Sequence, residues 1–251
     1  YYNWWKNVDK LVLLLIIILF GLGLFFSLVS TSLIASDKLN TNSYHFFIKH
    51  LLFIIIGIFF IIFFSSLNYK DLIKISKILF IVFLFTLILV PLLGTEVNGA
   101  KRWINILFLP RFQPIEPLKP FLIVFVASIM SHENNKNIYY KFLLSFLLIV
   151  PVILLLVNQP DMGQSLLIFL TWLSLVFISG VNLIVFFIFF IIVILSLVGI
   201  IYFFPNKFGY IFIRLKSFFD PNSGNTYQSD KASEAIINGG FFGRGIGEGT
   251  L

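Results

Sequence analysis

The 251-residue sequence contains no cysteine and few acidic residues. Without cysteine, the chain can have no disulfide framework, thiolate metal site or thiol nucleophile. Asp and Glu together number 11, and charged residues make up only 12% of the chain, well below the share in soluble domains. The three histidines lack the spacing of metal ligands. No metal site is therefore expected within these residues.

Hydrophobic side chains dominate the composition. Hydrophobic residues make up 59% of the chain, 33 residues are Phe, and the mean hydropathy is +1.01. This composition predicts an α-helical protein that crosses a membrane several times. The net charge of +7 is scattered between apolar segments and forms no continuous patch, which argues against a nucleic-acid partner. Membrane lipids are the expected surroundings.

Seven apolar segments are long enough to be spans, so the predicted fold class is an all-α polytopic membrane protein. A 40-residue apolar run, 165–204, must hold two spans, with a turn predicted at Ser179-Gly180-Val181-Asn182. The other five spans are predicted at 11–33, 46–64, 78–93, a run ending near Met130, and 142–157. The lysines of a predicted polar loop at 65–77 and the aromatic, lysine-bearing start place the N-terminus in the cytoplasm.

Residues 205–251 are too polar to span a membrane, so the predicted division is a bundle at 1–204 followed by a large extracytoplasmic loop. Within that loop, the pattern predicts an amphipathic surface segment at 208–219 and a helix at 230–238. The glycine-rich run at 239–249 lacks the Lys-Ser/Thr pair of a nucleotide loop. Because the chain begins at Tyr1 and stops inside this polar segment, it is expected to be a fragment.

Residues 99–120 are polar, basic and rich in proline, between apolar flanks. They carry Arg102, Gln113, Glu116 and Lys119 on the predicted outer side, where cations defy the usual orientation rule. Charge retained against that rule favours a binding role. Two interpretations remain open. Either a Glu116–Lys119 ion pair closes a structural re-entrant loop, or Arg102 and Lys119 hold a phosphate or diphosphate.

The prolines of this stretch and a second polar hinge complete the candidate features. Pro114 and Pro117 fit the first turn of a helix, where a missing N–H costs nothing, and Pro120 lies further in and should kink it. The second hinge, N-Q-P-D-M-G-Q at 158–164, carries Asp161 just before a span. Asp161 is either a helix N-cap or a functional carboxylate.

Three motifs, in order, resemble those of the SEDS family, which comprises FtsW, RodA and SpoVE. They are V-N-G-A-K-R-W-I-N followed by F-Q-P-I-E-P-L-K-P, then N-Q-P-D-M-G-Q, then the Y-Q to G-R-G-I-G-E-G-T segment. The W-W-x-x-V-D-K start and the G-N-T-Y-Q segment look more like the FtsW branch. One departure is Ile115, which stands where the family usually has Ser in Q-P-S-E.

The resemblance implies a ten-helix glycosyltransferase of the bacterial plasma membrane. Such an enzyme polymerises lipid II into peptidoglycan on its periplasmic face during cell division, together with a class B penicillin-binding protein and other divisome membrane proteins. Arg102 and Lys119 match motif positions suited to the diphosphate, and Gln113, Glu116, Asp161 and Gln228 match positions of site architecture. The family's catalytic Asp is expected beyond Leu251, so this chain is expected to be inactive. No cofactor is certain, and a divalent cation stays open.

Other functions remain open at this point. A RodA-like elongation polymerase and a lipid II flippase fit the same resemblance. An unrelated ion-coupled transporter would also keep charges beside broken helices, although no inverted repeat is visible. An H-T-D-F-type motif beyond Leu251 would favour the polymerase.

Overall fold

The computed structural model describes residues 2–31, 44–97, 100–105, 111–131, 137–203 and 227–243, with isolated positions at 205, 209, 216 and 245. The chain contacts divide it into two units, residues 1–67 with 197–251, and residues 68–196. The segment predicted as amphipathic at 208–219 lies almost wholly outside the described residues.

Among its described residues, the first unit contains two long apolar helices and two shorter helices. They are α1 (Tyr2–Asn7), α2 (Lys10–Phe26) with a π-helical turn at Ser27–Thr31, α3 (His45–Ser65) and the polar α9 (Tyr227–Gly239). Asp9 caps α2, since its carboxylate accepts from the amides of Leu11 and Val12. The spans Lys10–Val29 and His45–Ser65 bury 0% and 6% of their most apolar windows. Their hydrocarbon therefore suits lipid rather than a protein core.

The second unit has a packed core and carries the site. Its elements are α4 (Tyr69–Leu93), strands β1 (Thr95–Val97) and β2 (Ala100–Trp103), α5 (Ile115–Ser131), α6 (Ile138–Asn158), α7 (Met162–Ile178) and α8 (Leu183–Phe203), the last of which continues past residue 196. Leu87, Leu118, Ile149 and Val176 are each almost fully buried where α4 to α7 meet. Trp172 joins them, and its indole N–H donates to the Ser145 hydroxyl at 3.0 Å.

The helices confirm the predicted fold class. Seven long apolar helices lie in the described part of the chain, and four of them, α2 to α4 and α6, have the length and hydropathy of full spans. The predicted turn is confirmed, because α7 ends at Ile178 and α8 begins at Leu183. The helix predicted at 230–238 is confirmed as α9. The division at residue 204 stays a prediction.

Two span boundaries were predicted wrongly. The third span begins at Tyr69 rather than 78, so most of the predicted loop at 65–77 is helix. Lysines at 70, 74 and 77 can extend along a helix and keep their charges in the polar layer, and the Lys77 ammonium lies 5.4 Å from the centre of the Phe125 ring. The fifth span likewise begins earlier, at Ile138.

A two-stranded hairpin interrupts the helices after α4. Strands β1 and β2 pair antiparallel, with Val97 opposite Ala100 and Glu96 opposite Lys101. No strand was predicted here, yet the Asn98-Gly99 pair between two short runs is a hairpin signal in sequence. The hairpin enters the polar stretch 99–120, for which a re-entrant loop was one of the two open interpretations, and it carries Arg102.

Candidate functional site

The hairpin delivers Arg102 and Gln113 to one place. Gly94 joins α4 to β1 in a tight approach, and a Cβ there would clash with the Val90 carbonyl oxygen. After β2, Ile104 pairs with Phe112 through two backbone hydrogen bonds of 2.8 and 3.0 Å. This pairing returns the chain beside β2, so Gln113 comes next to Arg102 just before α5 begins.

Arg102, Gln113 and Asp161 form a cluster that we name the arginine clamp. The Arg102 guanidinium donates from Nε to the Gln159 carbonyl at 3.3 Å, and from Nη2 to the Pro160 carbonyl. Its Nε also lies 3.7 Å from Asp161 Oδ2, which accepts from the Gln113 side-chain amide at 3.3 Å. The clamp therefore fastens the hairpin to the turn between α6 and α7.

Asp161 occupies the N-cap position of α7 without acting as a side-chain cap. Its carboxylate makes no capping hydrogen bond, although its backbone carbonyl accepts from the amide and hydroxyl of Ser165. The side chain is only 10% exposed and faces Arg102 and Gln113 instead. The side-chain cap that the first interpretation requires is not formed, and the functional role of Asp161 stays a prediction.

Glu116, Lys119 and Gln164 form a second cluster, which we name the glutamine bridge. Glu116 Oε2 and Lys119 Nζ lie 2.8 Å apart, so the predicted ion pair is confirmed. Lys119 Nζ also donates to Gln164 Oε1 at 3.0 Å, and Gln164 Nε2 donates to Glu116 Oε1 at 2.9 Å. The three side chains close a ring that joins the first turns of α5 and α7.

An apolar cleft begins at the bridge and runs along α5, α6 and α7. It has a volume of about 230 Å³ and is lined almost wholly by hydrocarbon, including Leu122, Val126, Ile149 and Trp172. Lys119 also lines it and contributes its only charge within the described residues. A cleft of this kind suits an amphiphile with a long apolar chain and an anionic head.

The structure brings five of the six predicted site residues into these two clusters. Arg102, Gln113 and Asp161 meet in the clamp, and Glu116 and Lys119 meet in the bridge. The sixth, Gln228, belongs to α9 in the other unit, and its side chain lies outside the described part.

Two further glutamines of the site escaped the sequence reasoning. Gln159 is 4% exposed, and its side-chain amide donates to the Leu87 carbonyl at 3.3 Å, tying the turn to α4. Gln164 closes the bridge. Both belong to the polar hinge 158–164, whose density of amide side chains is the signal that could have found them.

Among the described residues, no group of acidic and histidine side chains could hold a metal ion by itself. Mg²⁺ and Ca²⁺ take several oxygen ligands, and no three acidic or histidine side chains converge in this part of the chain. Arg102 and Lys119 are instead the positive groups of the site.

The apolar helices and the charged turn where they end define a multi-pass membrane protein with a site at one end of its helical bundle. Residues 9–251 match the family FTSW_RODA_SPOVE, described as cell cycle protein. The chain belongs to this family, as its motifs predicted. Membership places it in the bacterial inner membrane.

Relatives and solved structures agree with this family assignment. The chain is 32% identical over 246 residues to the probable peptidoglycan glycosyltransferase FtsW of Wigglesworthia glossinidia brevipalpis, covering 95% of the chain and 62% of that protein. It is 29% identical over 248 residues to the protein of the same name from Caulobacter vibrioides, covering 99% of the chain and 62% of that protein. The chain thus spans about three fifths of the length of these relatives.

The fold resembles two solved structures. One is a chain of a peptidoglycan synthase complex, with a TM-score of 0.71 and 24% identity, covering 94% of this chain and 67% of that one. The other is a mutant of the rod shape determining protein RodA from Thermus thermophilus, with a TM-score of 0.58 and 23% identity over 70% of this chain and 55% of that one. At these identities the likeness concerns the fold alone.

Proposed function

We propose that the protein is a peptidoglycan glycosyltransferase that polymerises lipid II during cell division. The observation that carries the proposal is that Arg102 and Lys119 both contact the polar hinge 158–164. Lys119 also lines an apolar cleft. Relatives named peptidoglycan glycosyltransferase FtsW support the reaction type.

The chemistry explains why cations are needed at this place. In glycan polymerisation, a sugar hydroxyl attacks the anomeric carbon of a second lipid-linked sugar, and the C–O bond to the lipid diphosphate breaks. The departing diphosphate gains negative charge, which preorganised cations stabilise. Lys119 offers a point charge and Arg102 a planar fork. The isoprenoid chain of the same substrate is apolar, as is the cleft that Lys119 lines.

The remaining site residues have supporting roles in the proposal. Asp161 and Gln113 hold the Arg102 guanidinium in place, Glu116 holds the Lys119 ammonium, and Gln228 belongs to the site through its motif position. The catalytic carboxylate that accepts the proton from the attacking hydroxyl is assigned to none of these residues. The active face is periplasmic and the N-terminus cytoplasmic.

The proposed partner is a class B penicillin-binding protein within the divisome. Support comes from the similarity in fold to a chain of a peptidoglycan synthase complex that coordinates polymerisation and crosslinking. A transpeptidase beside the polymerase would crosslink the glycan strand as it forms. The FtsW names of the relatives support a partner in cell division rather than in elongation.

The test is polymerisation of labelled lipid II by the full-length protein with its transpeptidase partner. Arg102→Ala is expected to lower the rate of glycan formation about tenfold or more, because it removes a charged fork from the site. Membrane insertion should be unchanged. Lys101→Ala is the matched control, since it removes an equal charge from the neighbouring position of β2, whose side chain points to the opposite face.

The outcomes separate cleanly. Loss of polymer by Arg102→Ala, at a temperature where thermal unfolding shows the variant to be folded, with a normal Lys101→Ala rate, supports the site. Equal rates in wild type and Arg102→Ala would remove Arg102 from it. A wild-type protein that makes no polymer but moves lipid II across vesicles would replace the proposed polymerase with a flippase.

A further inference from the structure

Gln164 lies between two charged side chains and contacts both of them. Its amide oxygen accepts from Lys119 Nζ at 3.0 Å, and its amide nitrogen donates to Glu116 Oε1 at 2.9 Å. An uncharged amide offers a carbonyl oxygen as acceptor to a cation and N–H groups as donors to a carboxylate at the same time. Sequence separations of 45 and 48 residues make both contacts tertiary.

The geometry points to Gln164 as a positioning residue, which we propose orients the Lys119 ammonium for the diphosphate of the lipid substrate. This inference rests on the proposed function and adds a residue to its site. Without Gln164, the i,i+3 contact with Glu116 is the one polar contact of Lys119 left among the described residues, and Glu116 is 50% exposed. Such exposed pairs hold their side chains weakly.

The bridge also sets how much of the Lys119 charge a ligand can use. One carboxylate and one amide leave the cluster formally neutral, whereas a carboxylate on both sides would make it net negative and repel an anion. The ammonium carries three donors, and the bridge engages it through Glu116 and Gln164. The amide therefore orients the ammonium without adding a second negative charge beside it.

Gln164 acts, moreover, at the join of two helices. Lys119 and Glu116 stand in the first turns of α5, and Gln164 stands in the first turn of α7. The apolar cleft lies along both helices, and Lys119 lines it. A side chain that ties the two helix starts together therefore fixes the ammonium relative to the cleft, which is what a positioning role requires.

Two substitutions distinguish positioning from simple packing. Gln164→Met keeps the length of the side chain and removes both hydrogen bonds. Gln164→Glu keeps an acceptor for Lys119 but adds a second carboxylate beside Glu116. If Gln164 only filled space, methionine would replace it without loss. Ser174→Ala is the matched control, because this exposed residue of α7 bonds only the Leu170 carbonyl of its own helix among the described contacts.

The measurement is the kinetics of lipid II polymerisation by the full-length protein with its transpeptidase. Gln164→Met should raise the KM for lipid II about fivefold to tenfold and change kcat by less than about threefold. The diphosphate is already anionic before the C–O bond breaks, so most of the attraction that a misplaced ammonium loses is shared by the ground and transition states. Gln164→Glu should raise KM at least as far. Ser174→Ala should match wild type.

A wild-type KM in Gln164→Met would overturn the inference and leave the proposed function standing. An inactive wild type would instead overturn the proposed function. In that case, thermal unfolding of the solubilised protein still decides whether the bridge couples the two residues. Lys119→Met should change the unfolding equilibrium about fivefold less in the Gln164→Met background than in wild type. Equal effects in both backgrounds would refute the coupling.

Discussion

The arginine clamp and the glutamine bridge use the same kinds of side chain for different ends. In the clamp, Arg102 donates to backbone carbonyls and faces an acid that is 10% exposed, so its partners cannot move without the turn. In the bridge, all three partners are side chains, and Glu116 is 50% exposed. The clamp is thus fixed to the backbone of the turn, whereas the bridge is held by side chains alone.

This difference assigns unequal work to the two cations. Arg102 holds the hairpin to the 159–161 turn, and any contact it makes with a ligand comes in addition to that task. Lys119 has no backbone partner among the described contacts and ends in the apolar cleft. We therefore expect changes in the clamp to appear first in stability, and changes in the bridge to appear first in substrate binding.

The largest loss of stability should come from replacing Asp161, the acidic residue of the arginine clamp. Asp161→Ala leaves the Arg102 charge without its carboxylate and the Gln113 amide without its acceptor. We expect a loss of about 2 kcal/mol in unfolding free energy, less than the about 3–5 kcal/mol of a fully buried pair, because Arg102 retains contact with solvent. Asp161→Asn, which keeps an acceptor for Gln113, should lose about half as much. Thermal unfolding of the solubilised protein measures both. Equal stability of wild type and Asp161→Ala would contradict the expectation that changes in the clamp appear first in stability.

A smaller effect should follow from disturbing the hairpin that carries Arg102. In Gly94→Ala, the new Cβ meets the Val90 carbonyl, and the junction must shift. The expected destabilisation is about 1–2 kcal/mol, seen as a lower melting temperature. Gly199→Ala is the control, because nothing lies within 4 Å of a Cβ built there. If Gly94→Ala and Gly199→Ala both had the melting temperature of wild type, the junction between α4 and β1 would tolerate the shift, and the position of the hairpin would not contribute to stability as proposed.

Much of the fold follows from the sequence because lipid imposes long apolar helices. The turn at 179–182 and the Glu116–Lys119 pair were predicted, since both depend on neighbours in sequence. The start of α4 was missed because Lys70, Lys74 and Lys77 were interpreted as a loop, although helical lysines can reach the polar layer. The hairpin was missed despite its Asn-Gly pair.

The missing parts of the site share one cause. Gln159 and Gln164, which the sequence reasoning missed, gain their roles from partners more than 40 residues away in sequence. Such contacts depend on which helices pack against each other, and a single sequence does not show which helices do so. The polar hinge 158–164 could be recognised as special, but the partner of each amide could not.

The most direct test of the account exchanges the two charges of the bridge. The double variant Glu116→Lys, Lys119→Glu keeps an ion pair at i,i+3, so its stability should stay within about 1 kcal/mol of wild type. It also puts a carboxylate where the ammonium lined the cleft. We predict that polymerisation of lipid II by the full-length protein falls as severely as in Lys119→Ala and Glu116→Ala. Recovery of activity in the exchange above both single variants would mean that the pair is structural, and would contradict the placement of the Lys119 charge at a lipid diphosphate.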